Sequence, residues 1–288
     1  MTTPTLQLHV SVYDADLRQP PHVHDELHLS LVLRGRLVET VGARSELAGP
    51  LSVVAKDPDV RHADAFGPEP VTMARLSLPA AGVESLLDAP DRAFAWRWTH
   101  DPAVARPFLR LLRRAHRLRP AAASARSRSL SDSSHHSAGD HVPPTLVAAH
   151  EPEIADLLAA LTARPQPSTD GEPPMWLRDV VARVRDAWHP ALRVRDLARQ
   201  AQVHPVYLAR CMRRWYGHGI AELLRQERLR AAATRLATER GSVSEVAHAM
   251  GFSDESHLCH AFAGTLGVTP GGFRTLAREV VARRGDVA

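Results

Sequence analysis

Residues 194–215, VRDLARQAQVHPVYLARCMRRW, and residues 243–262, VSEVAHAMGFSDESHLCHAF, are two versions of one pattern. Val194, Leu197, Ala198, Ala201 and Val203 align with Val243, Val246, Ala247, Met250 and Phe252 at an offset of 49 residues. After a turn one residue longer, Leu208 and Met212 align with Leu258 and Phe262 at an offset of 50. The apolar spacing makes each copy a short helix, a turn and a second helix whose apolar side faces the first. The small Ala198 and Ala247 fall where two such helices cross closely. His204-Pro205 and Ser253-Asp254 open the second helices, since proline suits the first helical position and serine caps well. Gly251 gives the second turn freedom to bend.

Two helix-turn-helix units joined by an amphipathic helix over 220–237 form a specific signature, whereas a single helical hairpin is common in any all-α core. The joining helix of about 18 residues spans roughly 27 Å. With its flanking turns it can hold two recognition helices about one turn of DNA, roughly 34 Å, apart on one duplex face. Further helices are expected near 175–188 and 270–282. The charge agrees with this reading: residues 174–288 carry 18 basic and 11 acidic side chains, net +7, while residues 1–173 carry 18 and 21, net −3. A basic half joined to an acidic one points to a polyanionic partner. Of the 36 basic residues only Lys56 is a lysine; arginine's planar fork suits phosphates and guanine edges.

The second half resembles a known family. Residues 174–277 are similar to the DNA-binding domain of AraC/XylS transcription regulators. The likeness is carried by Leu197-Ala198, Tyr207-Leu208-Ala209-Arg210, Gly217, Arg228-Leu229-Arg230, Val246-Ala247, Gly251-Phe252-Ser253-Asp254 and Gly267 through Arg274. The resemblance implies that helices 205–216 and 254–266 enter successive major grooves of promoter DNA. On the first, Val206, Tyr207, Ala209 and Arg210 are the DNA-facing positions. Arg210 can bond bidentately to guanine, while Val206 and Ala209 can pack on a thymine methyl. Arg213 and Arg214 are the expected phosphate anchors. On the second, Glu255, Ser256, His257, Cys259 and His260 face outward, with Glu255, Ser256, His257 and His260 the DNA-facing positions. This helix departs from the family pattern: no lysine or arginine follows Phe262, which is succeeded by Ala263-Gly264-Thr265. Without fixed positive charge it lacks much of the phosphate contribution to affinity.

The first 80 residues read as β structure. Leu6, Leu8, Val10 and Val12 alternate with polar residues, as do Leu27, Leu29, Leu31 and Leu33; strands also fit 37–41, 51–55 and 71–78, with Arg34-Gly35-Arg36 as a turn. Short strands at this spacing suggest an antiparallel barrel or sandwich. His22, His24, Glu26, His28 and Ser30 fall on one side of an extended segment, and His62 can close the group from another strand. His-x-His followed by a distant histidine resembles the cupin barrel, and the run to Gly35 resembles the sensor barrels of AraC-type regulators. The match to metal-binding cupins departs at position 28, a histidine where a glutamate is usual. Three readings stay open for these residues: a small-effector pocket, a solvated polar face, or a zinc or iron site. A helix over 102–118 carries Val104, Phe108, Leu111, Leu112 and Ala115 on one stripe, and a second over 151–162 carries Ile154, Leu157, Leu158 and Leu161; both are expected at a subunit contact. The small, polar run 119–145 is expected to be disordered.

The expected whole is an α+β multidomain protein. A cupin-like barrel occupies 1–100, helical segments with the insert 101–173, and an all-α domain 174–288, with helix-turn-helix units at 194–216 and 243–266. At 288 residues, 44% apolar and 24% charged, the chain is of ordinary globular composition. It has no run of about 20 apolar residues for a membrane span and no basic-then-apolar leader. Its two cysteines, Cys211 and Cys259, build no disulfide framework, so a cytoplasmic setting is expected. The functional expectation is a homodimeric, sequence-specific regulator that binds double-stranded promoter DNA under control of a small-molecule effector. It can touch RNA polymerase, needs no cofactor and performs no catalysis. The rival is a cupin-type metalloenzyme with a helical appendage.

Overall fold

The protein is described here as a computed structural model, which covers residues 7–79, 94, 96–117, 151–162 and 172–285. Eight strands run β1 (Gln7–Tyr13), β2 (Arg18–His22), β3 (Leu27–Arg34), β4 (Leu37–Val41), β5 (Arg44–Ala48), β6 (Val53–Lys56), β7 (His62–Phe66) and β8 (Val71–Leu78). They form two antiparallel four-stranded sheets, ordered β1-β8-β3-β6 and β2-β7-β4-β5. A 3-10 turn (Pro102–Val104) leads into α1 (Ala105–Arg117), followed by α2 (Glu151–Thr162). The helices of the second half are α3 (Met175–Asp186), α4 (Val194–Gln200), α5 (Pro205–Tyr216), α6 (Ile220–Thr238), α7 (Val243–Ala249), α8 (Glu255–Leu266) and α9 (Pro270–Gly285).

Three of the strands, β2, β5 and β7, fall on stretches for which the sequence gives no strand expectation. The strand expected at 51–55 starts at Val53, because Leu51 turns at φ 66°. Leu6 and the 119–145 segment lie outside the described residues.

The alternation in β3 has two destinations. Leu27, Leu29, Leu31 and Leu33 join Leu8, Val53, Ala55, Ala74 and Leu76 in a core shared with α1, α2 and α6–α9. The opposite parity of the same sheet faces the second sheet. At one end that interior is apolar, with Val32, Val54 and Met73 against Leu37 and Phe66, and the Tyr13 ring stacked on Phe66 at 4.4 Å. At the other end it is polar: His28 stands between Ser77 and Lys56, and Ser30 between Arg75 and Val54. The helices α3, α4 and α5 close a separate core around Leu177, Leu197, Leu208 and Met212.

The sequence repeat is a structural one. Val203 N donates to Ala198 O at 2.9 Å and Phe252 N to Ala247 O at 3.0 Å, the same bond 49 residues apart. Both turns pass through the left-handed region, at Gln202 (φ 55°) and Gly251 (φ 73°). Both second helices end on a left-handed glycine, Gly217 and Gly267. Ala198 and Ala247 are fully buried where the helices cross. Pro205 takes the first position of α5 as expected, behind His204, whose Nδ1 accepts from Val206 N. The expected serine cap is corrected, since Asp254 and not Ser253 caps α8, its carboxylate accepting from His257 N at 2.8 Å.

The first helix of the second unit carries a capping box, Ser242 Oγ accepting from Glu245 N while Glu245 Oε2 accepts from Ser242 N. Ser242→Ala is expected to cost about 1 kcal/mol, a fall of roughly 2–4 °C in unfolding midpoint for a fold of this size. A thermal melt checks it, and an unchanged midpoint counts against the box as a contributor.

The apolar stripes expected at a subunit contact are covered within the chain. Phe108, Leu109, Leu112, Ile154, Leu157 and Leu158 are buried in the shared core, and α1 packs on α2, α8 and α9.

Candidate nucleic-acid interface and barrel site

On α5, Leu208, Cys211 and Met212 point inward and Trp215 is half-buried, which turns the rest of the helix outward. Val206, Tyr207, Arg210, Arg213 and Arg214 are exposed and Ala209 is half-buried. The Tyr207 ring is held by stacking on Trp176 of α3 at 5.9 Å, and the Arg214 guanidinium lies 5.3 Å from the Trp215 ring. On α8, Leu258, Phe262 and Leu266 point inward, while Glu255, Ser256, His257 and His260 are exposed and Cys259 is half-buried. Every residue expected to face DNA thus lies on the accessible side of its helix. The two helices differ in chemistry: three guanidinium groups stand on α5, while the exposed face of α8 bears one carboxylate and no arginine or lysine. His260 Nδ1 is engaged with Ser256 O at 2.8 Å, which leaves only Nε2 for a partner. The Asp254 carboxyl is held below its usual range by the His257 backbone bond and the Ser253 hydroxyl, as expected of a helix cap.

Inside the barrel, rings from separate segments gather. His22 and His62 lie 4.2 Å apart between centroids, His24 and His28 4.1 Å, and His22 and His24 5.0 Å. His22 Nδ1 donates to Pro20 O and His62 Nδ1 to Val60 O, each at 2.9 Å, which leaves Nε2 of the neutral His62 ring as an acceptor. Glu26 lies at the edge of the site, half-buried on the loop before β3, its carboxyl raised by burial and by Asp25. The carboxylates that do face the rings are Glu39 on β4 and Asp64 on β7. Glu39 accepts from Lys56 Nζ at 2.5 Å and from the indoles of Trp96 and Trp98 at 2.7 and 2.8 Å, and Lys56 also donates to His62 Nε2 at 3.0 Å.

Burial, then the Arg75 and Lys56 charges, lowers His24 to about 3 and His28 to about 2. Burial and Lys56 likewise bring His62 to about 4, so all three rings are neutral at physiological pH. Burial raises Asp64 to about 6. Burial alone would also raise Glu39, but the Lys56 ammonium and the indole bonds outweigh it and hold the carboxylate ionised. His24 Nε2, His28 Nδ1, Ser30 Oγ, Asp64 Oδ1 and Arg75 Nε are buried without a partner among the described residues. Buried polar atoms left so cost about 1–3 kcal/mol each, and a polar guest would relieve that cost. Ring nitrogens of His22, His24 and His62 come within 4.8 Å of one another, as do ligand atoms of Glu39, His62 and Asp64, but both groups share His62, whose two ring nitrogens are engaged with Val60 O and the Lys56 ammonium.

Two family models match consecutive parts of the chain: an AraC-like ligand binding domain over residues 7–138 and a helix-turn-helix domain over residues 197–275. The chain belongs to the AraC family. Among curated proteins this AraC-family chain is similar to the regulatory protein PocR of Salmonella typhimurium, with 28% identity over 88 residues, 31% of this chain and 29% of PocR. It is also similar to the HTH-type transcriptional regulator GlxA of Rhizobium meliloti, with 38% identity over 78 residues, 27% of this chain and 24% of GlxA. The match thus spans less than a third of the length of these relatives. Among solved structures, ToxT from Vibrio cholerae aligns at a TM-score of 0.36 and 10% identity over 95% of this chain and 98% of ToxT. The DNA-binding domain of AdpA, solved in complex with a target DNA, aligns at a TM-score of 0.34 and 30% identity over 40% of this chain and 98% of that domain. Among the described residues of this AraC-family chain, no helix is long and apolar enough to cross a membrane.

Proposed function

We propose that this chain is a sequence-specific transcription regulator that binds double-stranded promoter DNA through α5 and α8. The observation that carries the reading is the pair of superposable helix-turn-helix units whose outward faces hold the residues Val206, Tyr207, Ala209, Arg210, Arg213 and Arg214 on one helix and Glu255, Ser256, His257 and His260 on the other. The barrel, within residues 1–100, is proposed to take a small polar effector among His22, His24, His28 and His62, with Glu26 at its edge; the partnerless buried atoms there support it. Residues 101–173 link it to the DNA-binding domain of residues 174–288. Ligand can change DNA affinity only if it binds two arrangements of the protein unequally. A homodimer in the cytoplasm, in contact with RNA polymerase at the promoter, completes the proposal and rests on the family alone.

A metalloenzyme reading would use the same histidines but leaves the doubled helix-turn-helix without a role. Selection of the full chain against a randomised duplex pool is expected to enrich one motif with two half-sites about one helical turn apart. Recovery of no preferred sequence would overturn the proposal.

A further inference from the structure

The charge missing from α8 is restored in space by a helix from the other half of the chain. Helix α1 lies alongside α8 and turns three arginines toward its C-terminal end. Arg106 Nη1 donates to Gly264 O at 3.4 Å, Arg113 Nη1 to Gly267 O at 3.1 Å, and Arg110 Nε lies 3.1 Å from where a β-carbon on Gly267 would stand. An open cleft of about 520 Å³ lies beside this junction, lined among others by Arg106, Arg225 of α6, and His260 and Gly264 of α8. His260 and Gly264 are exposed and one helical turn apart, on the stripe of α8 proposed to face DNA. Arg225 is committed to Glu222, at 2.6 Å, whereas Arg106 and Arg110 have no carboxylate partner among the described residues. The partial negative charge of a helix C-terminus attracts guanidinium groups and explains why α1 docks there. It amounts to roughly half an elementary charge, too little to offset three arginines.

We propose that Arg106 and Arg110 of α1 are phosphate contacts for the duplex segment read by α8, the cleft beside His260 receiving one backbone phosphate. The inference rests on the proposed DNA-binding function and deepens it. Part of the phosphate-contacting surface then belongs to the ligand-binding half, so any shift of α1 relative to α8 changes DNA affinity directly.

The test uses the full chain. Affinity for the selected duplex and for an unrelated duplex is measured by fluorescence anisotropy between 50 and 300 mM salt, for wild type, Arg106→Gln, Arg110→Gln, the double variant, and Arg44→Gln on β5 as a control. Each lost phosphate contact reduces the slope of log K against log salt by about 0.9, so the double variant should lose nearly 2. It should weaken both duplexes alike, roughly tenfold at the lower salts, and Arg44→Gln should change neither quantity. Glutamine removes the charge and keeps a polar side chain, and the unfolding midpoint separates a folding defect from a lost contact. An unchanged slope, with or without a lower midpoint, means the arginines serve only as helix caps and overturns the inference. Wild type that binds no duplex would instead overturn the proposed function itself.

Discussion

Glu39→Ala is expected to remove about 3–5 kcal/mol of stability, among the largest single-residue losses available in the barrel. The Glu39 side chain has no exposure, and it accepts from Lys56 Nζ and from two indole N–H groups. Truncation leaves a 4%-exposed ammonium with only His62 Nε2 to accept from it, and it orphans the Trp96 and Trp98 donors. An unpaired buried charge is much costlier than the net worth of the pair it came from. At roughly 2–4 °C per kcal/mol, the unfolding midpoint of the full chain should fall by about 6–20 °C. Two companions separate charge from shape. Glu39→Gln keeps the volume and one acceptor oxygen, and should lose less. Glu39→Leu with Lys56→Met removes both charges, and should recover much of the loss. A Glu39→Ala protein within about 1 kcal/mol of wild type would show that the ammonium finds water or another acceptor, and the pair would then carry little of the barrel's stability.

The same cluster shows what the sequence could and could not disclose. Local periodicity reveals which residues share a face, and it revealed the leucines of β3, the two helix-turn-helix units and the helix joining them. All seven helices of the second half fall where the apolar spacing puts them. Three strands escaped because they break the rules that make strands legible. β2 reads Arg-Gln-Pro-Pro-His and sits at a sheet edge, where proline costs no ladder bond. β5 and β7 are short and carry Arg44, Glu46, His62 and Asp64. The barrel histidines could be grouped because three of them lie within seven residues of sequence. The single extended segment expected there is corrected: His22 ends β2 of one sheet, His24 lies in the loop that follows and His28 is in β3 of the other. Glu39, Asp64, Trp96 and Trp98 could not be grouped, because they meet through pairings across sheets 17 to 59 residues apart in the chain.

One signal was available: Lys56 is the sole lysine among 35 arginines. Here the compact ammonium meets two acceptors, Glu39 Oε1 and His62 Nε2, in a buried space. The contact of Arg106 with Gly264 spans 158 residues and joins the two halves; no periodicity within either half encodes it. The absence of charge on α8 was legible, and its supply from α1 was not.

Arg210→Ala is expected to weaken binding to the selected duplex by roughly 10- to 100-fold, the 1–3 kcal/mol of a bidentate guanine contact, and to relax the preference at one base position. Arg210 stands exposed between two groups that fix its surroundings, the Tyr207–Trp176 stack one turn earlier and the Arg214–Trp215 contact one turn later. Its neighbours on the stripe, Val206 and Ala209, offer no hydrogen bond, so little on α5 can replace it. The matched His260→Ala change should cost less, about 2- to 12-fold. Its ring spends Nδ1 on Ser256 O and presents one nitrogen, so it supplies at most one hydrogen bond, about 0.5–1.5 kcal/mol. Unequal losses in this order would mean that the first helix-turn-helix sets sequence preference while the second, with α1 behind it, mainly adds grip on the backbone. If His260→Ala cost more than Arg210→Ala, the order of the two helices would reverse, and α8 would be reading bases through a histidine without neighbouring positive charge of its own.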